Sequence, residues 1–540
     1  MTPRSPCACL LFLIVSTATA PRAPAADGRE GVARVPDVVE AITETDRGDL
    51  RADTDGRWRR DDLVVTTAVR DGGLRVRLSA PDSAVKHLHL RWRMAMNPAE
   101  KYLGDAWERG YGDLQWKPLD GDRVMPWYVL AFDGRRAAGF GVMTGPAALC
   151  SWKVDAEGIS LRADVRCGGA GVRLGARTLE VCTVVSRAGR EDESAFRAAQ
   201  AFCRQMCPAP LLPKAPVYGF NDWYPWFGQN SAARFREQAR FIAELSPDGP
   251  NRPFAVIDDG WQAGPGLWDR SNGRFPSMPG LAADIKHAGA RPGIWIRLLQ
   301  APADAPADWR LTRDGHTLDP TRPAVRRRVA DDVARLRAWG FELIKHDYST
   351  FDLLGRWGFD MRGDVTADGW AFADRSKTTA EILLDHYRTI REAAGDSVLI
   401  IGCNTVSHLS AGVFELNRIG DDTGDQEWGR LRKMGVNSLA FRAPQHGTFY
   451  AADPDCVALT RRSAIPWDKL GQWLTLASES GMPLFLSVKR EDLEPSQLAA
   501  IRAALAVAAR PQPLAEPLDW LETPFPAHWR LLGRPVDFTW

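Results

Sequence analysis

The chain lacks a charge imbalance. Its 69 Lys and Arg stand against 68 Asp and Glu, a formal net charge of +1. No global field therefore favours nucleic acid or anionic lipid. It lacks metal-ligand spacing among its nine His and nine Cys, so no metal site is expected. It lacks the Gly-rich loop that cradles phosphates in doubly wound sheets. Beyond the N-terminus it lacks any apolar run long enough to span a bilayer. Nucleic acid, a membrane span, nucleotide chemistry and a cofactor are thus not expected.

The cysteines form no framework. Two, Cys7 and Cys9, lie in the N-terminal segment, and the other seven are an odd number. Cys203 and Cys207 lie four apart on an expected helix, where they either touch or remain single buried thiols.

What the chain does have begins with an export-like leader. Arg4 precedes the short apolar run Ala8–Ala20, which ends in small residues, with Ala-Pro-Ala-Ala at 23–26. This reads as a signal segment over 1–26, cleaved after Ala20 or near Ala26, and as export to the periplasm or beyond. The 21 Trp are numerous. Their faces suit sugar rings, although most Trp belong in cores.

Two rhythms follow. Residues 36–190 alternate in short segments such as Leu63–Val69, Leu74–Leu78 and His87–Trp92, punctuated by Asp71-Gly72-Gly73 and Asp133-Gly134. That pattern predicts an antiparallel β-sandwich. Residues 191–215 read as a helix and a Pro-rich linker. From 216 to 510, strand and helix alternate about eight times, with strands expected at 217–220, 254–257, 293–296, 341–344, 398–401, 414–419, 447–450 and 483–487. This predicts an α/β fold, a (β/α)8 barrel behind the sandwich. Residues 511–540 form a C-terminal tail.

Barrel chemistry sits where strands end. Lys345-His346-Asp347 and Arg418-Ile419-Gly420-Asp421-Asp422 each end an apolar run with a carboxylate, a cation two or four residues before it. Two carboxylates facing one cavity suit glycosidic bond cleavage. Lys345 shares a strand face with Asp347 and is expected to act on it; the alternative is a structural ion pair. Asp421 reads as a cap or turn residue, and His346 as a packing residue facing away from the cavity.

In order, Val256-Ile257-Asp258-Asp259-Gly260-Trp261-Gln262, Arg274-Phe275-Pro276, Gly293-Ile294-Trp295, Lys345-His346-Asp347, Gly402-Cys403, Arg418-Ile419-Gly420-Asp421-Asp422-Thr423 and Asp453-Pro454-Asp455 resemble the α-galactosidase (melibiase) clan, glycoside hydrolase families 27 and 36, and within it the compact bacterial members of family 36. The resemblance covers 216–510 and extends to the sandwich. It implies an exo-acting retaining α-glycosidase, first of all an α-galactosidase, with an oligosaccharide or glycoconjugate substrate. Asp347 matches the nucleophile and Asp422 the acid/base. Asp258 and Asp259 match ligands of the 4- and 6-hydroxyls, with Lys345 and Arg418 also on the sugar. Trp223 and Trp295 match aromatic walls, and Asp455 an accessory position. The alternatives are an α-N-acetylgalactosaminidase or transglycosylase of the same clan, and a catalytically silent carbohydrate-binding protein.

Three further expectations concern substrate choice. Trp107 and Glu108, in the aromatic stretch 103–116, either line an outer sugar site or belong to a sandwich hairpin. An insertion over 360–377 is positioned to close one side of the cleft. Arg297, at the end of the third strand, would favour an acidic or substituted sugar.

Overall fold

The computed structural model describes residues 33–53 and 56–540; the leader expected over 1–26 lies outside them. Residues 38–188 build two antiparallel sheets, one of six strands and one of eight. Their strands alternate as the sequence pattern requires: Val38–Thr43 buries every second residue against the facing sheet. Asp71 and Gly72 take φ of 52° and 76° in the two-residue turn between Leu63–Arg70 and Gly73–Ser79. That left-handed pair is the turn that matches strand twist. Trp92 and Trp152 stack in the core with centroids 6.0 Å apart.

The helix Ala195–Met206 leads into the barrel, whose eight staves run parallel. They are Tyr218–Asn221, Phe254–Ile257, Arg291–Ile296, Leu343–His346, Leu399–Gly402, Leu416–Arg418, a split seventh stave, and Leu484–Val488. The seventh is Ala451–Asp453, which pairs with the sixth, and Cys456–Leu459, which pairs with the eighth. The eighth pairs with the first, closing the ring. The expected strand at 447–450 is instead a turn, and the stave begins at Ala451. It breaks at Pro454-Asp455, where proline has no N–H for the ladder and Asp455 takes φ of 72°.

Helices cover the outside. Pro323–Ala338 starts with proline in its first turn and buries Val325, Val329, Val333 and Leu336, the face its spacing predicts. Inside, Phe254, Val256, Leu343, Ile401, Leu416, Ala451 and Phe485 form an apolar plug. Side chains alternate along each strand, so the next inward residues toward the C-terminal ends are Asp258, Lys345, Asp347, Cys403, Arg418 and Asp453. A charged layer thus lies directly on a hydrophobic one.

The stretch over 360–377 is docked on the sandwich. Arg162 Nη1 donates to the Gly363 carbonyl (2.6 Å), Gly169 N–H to the Trp370 carbonyl (3.0 Å), and Arg177 Nε to the Ser376 carbonyl (3.0 Å). It joins the two halves of the chain rather than hanging free over the cleft. The tail folds into a small sheet of Glu516–Pro517, His528–Leu531 and Arg534–Asp537. All seven cysteines outside the leader are free and buried, so Cys203 and Cys207 remain separate thiols. Among the described residues, no helix is long and apolar enough to cross a membrane.

Candidate active site

The C-terminal ends of the staves bring the expected residues to one mouth. Asp347 follows the fourth strand. Its Oδ2 accepts from Trp295 Nε1 (3.0 Å) and its Oδ1 from the Tyr348 N–H (2.7 Å). Two donors from different elements fix the carboxylate's direction. Tyr348 takes φ of 68°, a conformation that is strained for a bulky residue and clusters at functional sites. Trp295 is therefore more than a wall: it is 4% exposed and spends its polar edge on Asp347.

Lys345 does not pair with Asp347. Its Nζ reaches Asp258 Oδ2 at 2.7 Å, with both side chains nearly buried. Burial opposes the ammonium, but Asp258, with Cys403 and Asp347 nearby, outweighs it and holds the Lys345 pKa well above the usual value. Asp258 Oδ2 also accepts from Asn221 Nδ2 (2.7 Å), and Oδ1 from the Asp259 N–H (2.9 Å). Behind it, Asp222 accepts the Asp258 N–H (2.6 Å) and Asn230 Nδ2 (2.6 Å). Burial pushes Asp222 up to about 7.

The two aspartates of the expected pair thus differ. Asp258 is 4% exposed and bonded on both oxygens. Asp259 is half-buried at the mouth, accepting from Gln262 Nε2 (2.7 Å). Burial, with Asp258 and Asp347 nearby, raises its pKa. Trp223 opens the short helix Trp223–Trp226 after the first strand and packs half-buried on the top of the apolar plug.

Asp422 follows the sixth stave, its side chain 47% exposed, 3.2 Å from Arg418 Nη2. Arg418 is buried and also pairs with Asp455 (3.0 Å). Asp455 is occupied on every side: Oδ2 takes Tyr224 Oη (2.6 Å), the Thr423 N–H (2.9 Å) and Thr423 Oγ1 (3.1 Å). The structure places it behind Arg418 as an anchor. Burial by itself would raise the Asp422 pKa, but Arg418, Arg109 and Lys345 hold it below the usual carboxylate value. Asp453, buried beside Arg418, is lifted to about 6 by burial.

Several expectations change. Asp421 lies in a turn, one of its two expected placements, and there also pairs with Arg109 (3.2 Å) and Arg430 (2.8 Å). Arg297 is neutralised by Asp352 (2.6 Å) and lies 4.1 Å over the Tyr348 ring. It leaves no free cation to choose an acidic sugar. Glu108 is wholly buried, taking the Gly358 N–H (2.9 Å) and bonds from Tyr111 and Asn404. Trp107 is 5% exposed and donates to the Arg362 carbonyl (3.2 Å). The 103–116 stretch does reach the barrel, with Trp107 and Glu108 in the buried junction and Arg109 on Asp421. His346 is buried away from the mouth among His386, Tyr387 and Phe414, as its alternation predicts.

Sequence reasoning missed Asp222, Asn221, Tyr348 and Arg109. Asn221 ends the first strand and Asp222 follows it directly, a signal that was available. Arg109 had none, since only tertiary contact brings it to residue 421.

No protein-family model matches the chain. Solved structures share its fold. The α-galactosidase TtGalA from Thermus thermophilus, in complex with p-nitrophenyl α-D-galactopyranoside, superposes with a TM-score of 0.61 at 19% identity, over 88% of this chain and 97% of that one. The same enzyme in complex with stachyose gives 0.58 at 18% identity, over 87% and 99%. The family 36 α-galactosidase AgaA from Geobacillus stearothermophilus gives 0.53 at 14%, over 87% and 75%. At these identities the likeness establishes the architecture: a β-sandwich in front of a (β/α)8 barrel, in common with glycoside hydrolase family 36 α-galactosidases of known structure.

Proposed function

We propose that the protein is an exported, exo-acting, retaining α-glycosidase, first of all an α-galactosidase. The observation that carries this reading is the pair of carboxylates at the mouth. Asp347 is aimed by Trp295 and Tyr348, and Asp422 stands exposed at the end of the sixth stave, on Arg418. A silent sugar binder has no need of both. The solved relatives with galactoside ligands share the fold that presents them.

Asp347 attacks the anomeric carbon as the glycosidic C–O bond breaks. Asp422 gives its proton to the departing oxygen. Water then attacks the glycosyl ester, Asp422 takes the water's proton, and Asp347 leaves. Asp259, the accessible member of its pair, is assigned to the sugar hydroxyls. Asp258 and Lys345 are assigned to the wall on which the sugar rests.

The neighbouring cations keep Asp422 low, so its protonated form is scarce at neutral pH. A general acid must carry its proton. Activity is therefore expected to favour acidic pH.

The test is turnover of aryl α- and β-glycosides by wild type and by Asp347→Ala. Release from the α-galactoside alone, lost in the variant, supports the reading. Release from a different sugar moves the specificity and keeps the mechanism. Sugar binding without turnover of any glycoside would leave the silent binder.

A further inference from the structure

The sandwich sends one segment into the barrel mouth, and it meets the turn that carries Asp422. The Gly110 N–H donates to the Ile419 carbonyl (2.7 Å), and the Asp421 N–H donates back to the Gly110 carbonyl (3.2 Å). These bonds add a strand-like bridge between Gly110 and Gly420. Residues 434–438 pack tightly against both glycines. A Cβ on Gly110 would lie 2.6 Å from Ser438 Oγ, and one on Gly420 would lie 2.0 Å from the Met434 carbonyl oxygen. Arg442, wholly buried, ties the same two segments by donating to the carbonyls of Glu108 (2.5 Å) and Ile419 (3.2 Å).

Arg109 sits at the centre of this junction with its side chain only 5% exposed. Its Nη2 reaches Asp421 Oδ1 (3.2 Å) and Tyr111 Oη (3.3 Å), with Glu108 at 4.0 Å and the Trp357 ring 5.7 Å away. Asp421 is gripped on its other oxygen by Arg430 (2.8 Å), which also donates to the Asp422 carbonyl (3.0 Å). The turn Gly420-Asp421-Asp422 is thus held from both sides, by an arginine of the barrel and one of the sandwich. A buried guanidinium costs desolvation that its ion pairs can fail to offset. Here it is spent one residue from the proposed acid/base.

We propose that Arg109 is a positioning residue for Asp422: through Asp421 it fixes the turn so that the Asp422 carboxyl meets the leaving oxygen. The sandwich is then part of the catalytic apparatus. Its arginine also places a second positive charge near Asp422 beside that of Arg418. The inference rests on the function proposed above, and its signature is separate from that reading.

Leaving-group dependence provides the test. An activated aryloxide departs without a proton, whereas an alkoxide needs one. Wild type, Arg109→Met, Arg109→Lys and Asp421→Asn are compared on a dinitrophenyl α-galactoside and on a methyl or sugar α-galactoside. Arg109→Met is expected to lose about 10- to 100-fold in kcat/KM on the poor leaving group, part of the roughly 100- to 10,000-fold a general acid supplies, and about threefold or less on the activated one. Arg109→Lys, which keeps the charge, recovers part of the loss. Asp421→Asn, which keeps the buried arginine, repeats the pattern if Arg109→Met does not fold. Equal losses on both substrates, or no loss on either, would overturn the positioning role. A wild type inert toward every α-galactoside would overturn the underlying function, and this role with it.

Discussion

The Lys345–Asp258 pair allows a quantitative test of how the charged layer at the barrel mouth is built. The two charges are 2.7 Å apart, with side chains 12% and 5% exposed. Breaking a buried pair from one side typically costs about 3–5 kcal/mol, because the remaining charge has no partner. Asp258 keeps two other donors, Asn221 Nδ2 (2.7 Å) and the Asp259 N–H (2.9 Å). Each bond of this kind to a charged group is worth about 1.5–3 kcal/mol. Lys345→Met is therefore expected near the lower end, about 3 kcal/mol. Asp258→Asn strands the ammonium and should cost a similar amount. The double variant removes both charges, so its cost should fall short of the sum by about 2 kcal/mol or more. Urea unfolding of the four proteins gives that coupling. Costs that add to within about 0.5 kcal/mol would refute the pairing. So would a larger coupling of Lys345→Met to Asp347→Asn, which would mean that Lys345 serves the nucleophile.

Two further outcomes follow from the same geometry. Trp295→Phe keeps the ring beside Trp268 and Tyr348 but removes the donor on Asp347. Its kcat for α-galactoside hydrolysis should fall about 10-fold with KM little changed, as expected from losing one bond to a charged group. An unchanged kcat would show that Tyr348 alone aims the carboxylate. His346 is fully buried with neither ring nitrogen bonded, and burial lowers its pKa to about 3. The unfolded chain takes up that proton near pH 6.5, so the stability held by neutral His346 is complete above 6.5 and is lost as pH falls toward 3. By pH 5 the loss is about 2 kcal/mol. His346→Leu should flatten the fall in unfolding free energy between pH 8 and 5 by that amount, and an unchanged slope would contradict this account.

Much of the barrel was legible because its signals are local. The apolar stripe of Pro323–Ala338 and the runs at Phe254–Ile257 and Leu343–His346 carry their periods in the sequence. The seventh stave was misplaced because Gly447–Tyr450 is as apolar as a strand, whereas the real stave is cut by Asp453-Pro454-Asp455. At the mouth, spacing shows which side chains share a face but not which of them pair. Lys345 and Asp347 do share a face, yet Lys345 is long enough to reach the second strand, and the Trp295 indole occupies Asp347 instead. Arg297 looked like a free cation because Asp352, its partner, lies beyond the next strand-to-helix turn. Glu108 looked like a site residue because charge beside aromatics reads alike in a cleft and in a buried junction.

The account's central claim is double displacement at Asp347 and Asp422, and the anomer first released tests it most directly. Proton NMR of an α-galactoside during the first minutes of hydrolysis should show α-galactose appearing before mutarotation yields the β form. β-Galactose appearing first, or no galactose released, would contradict the claim.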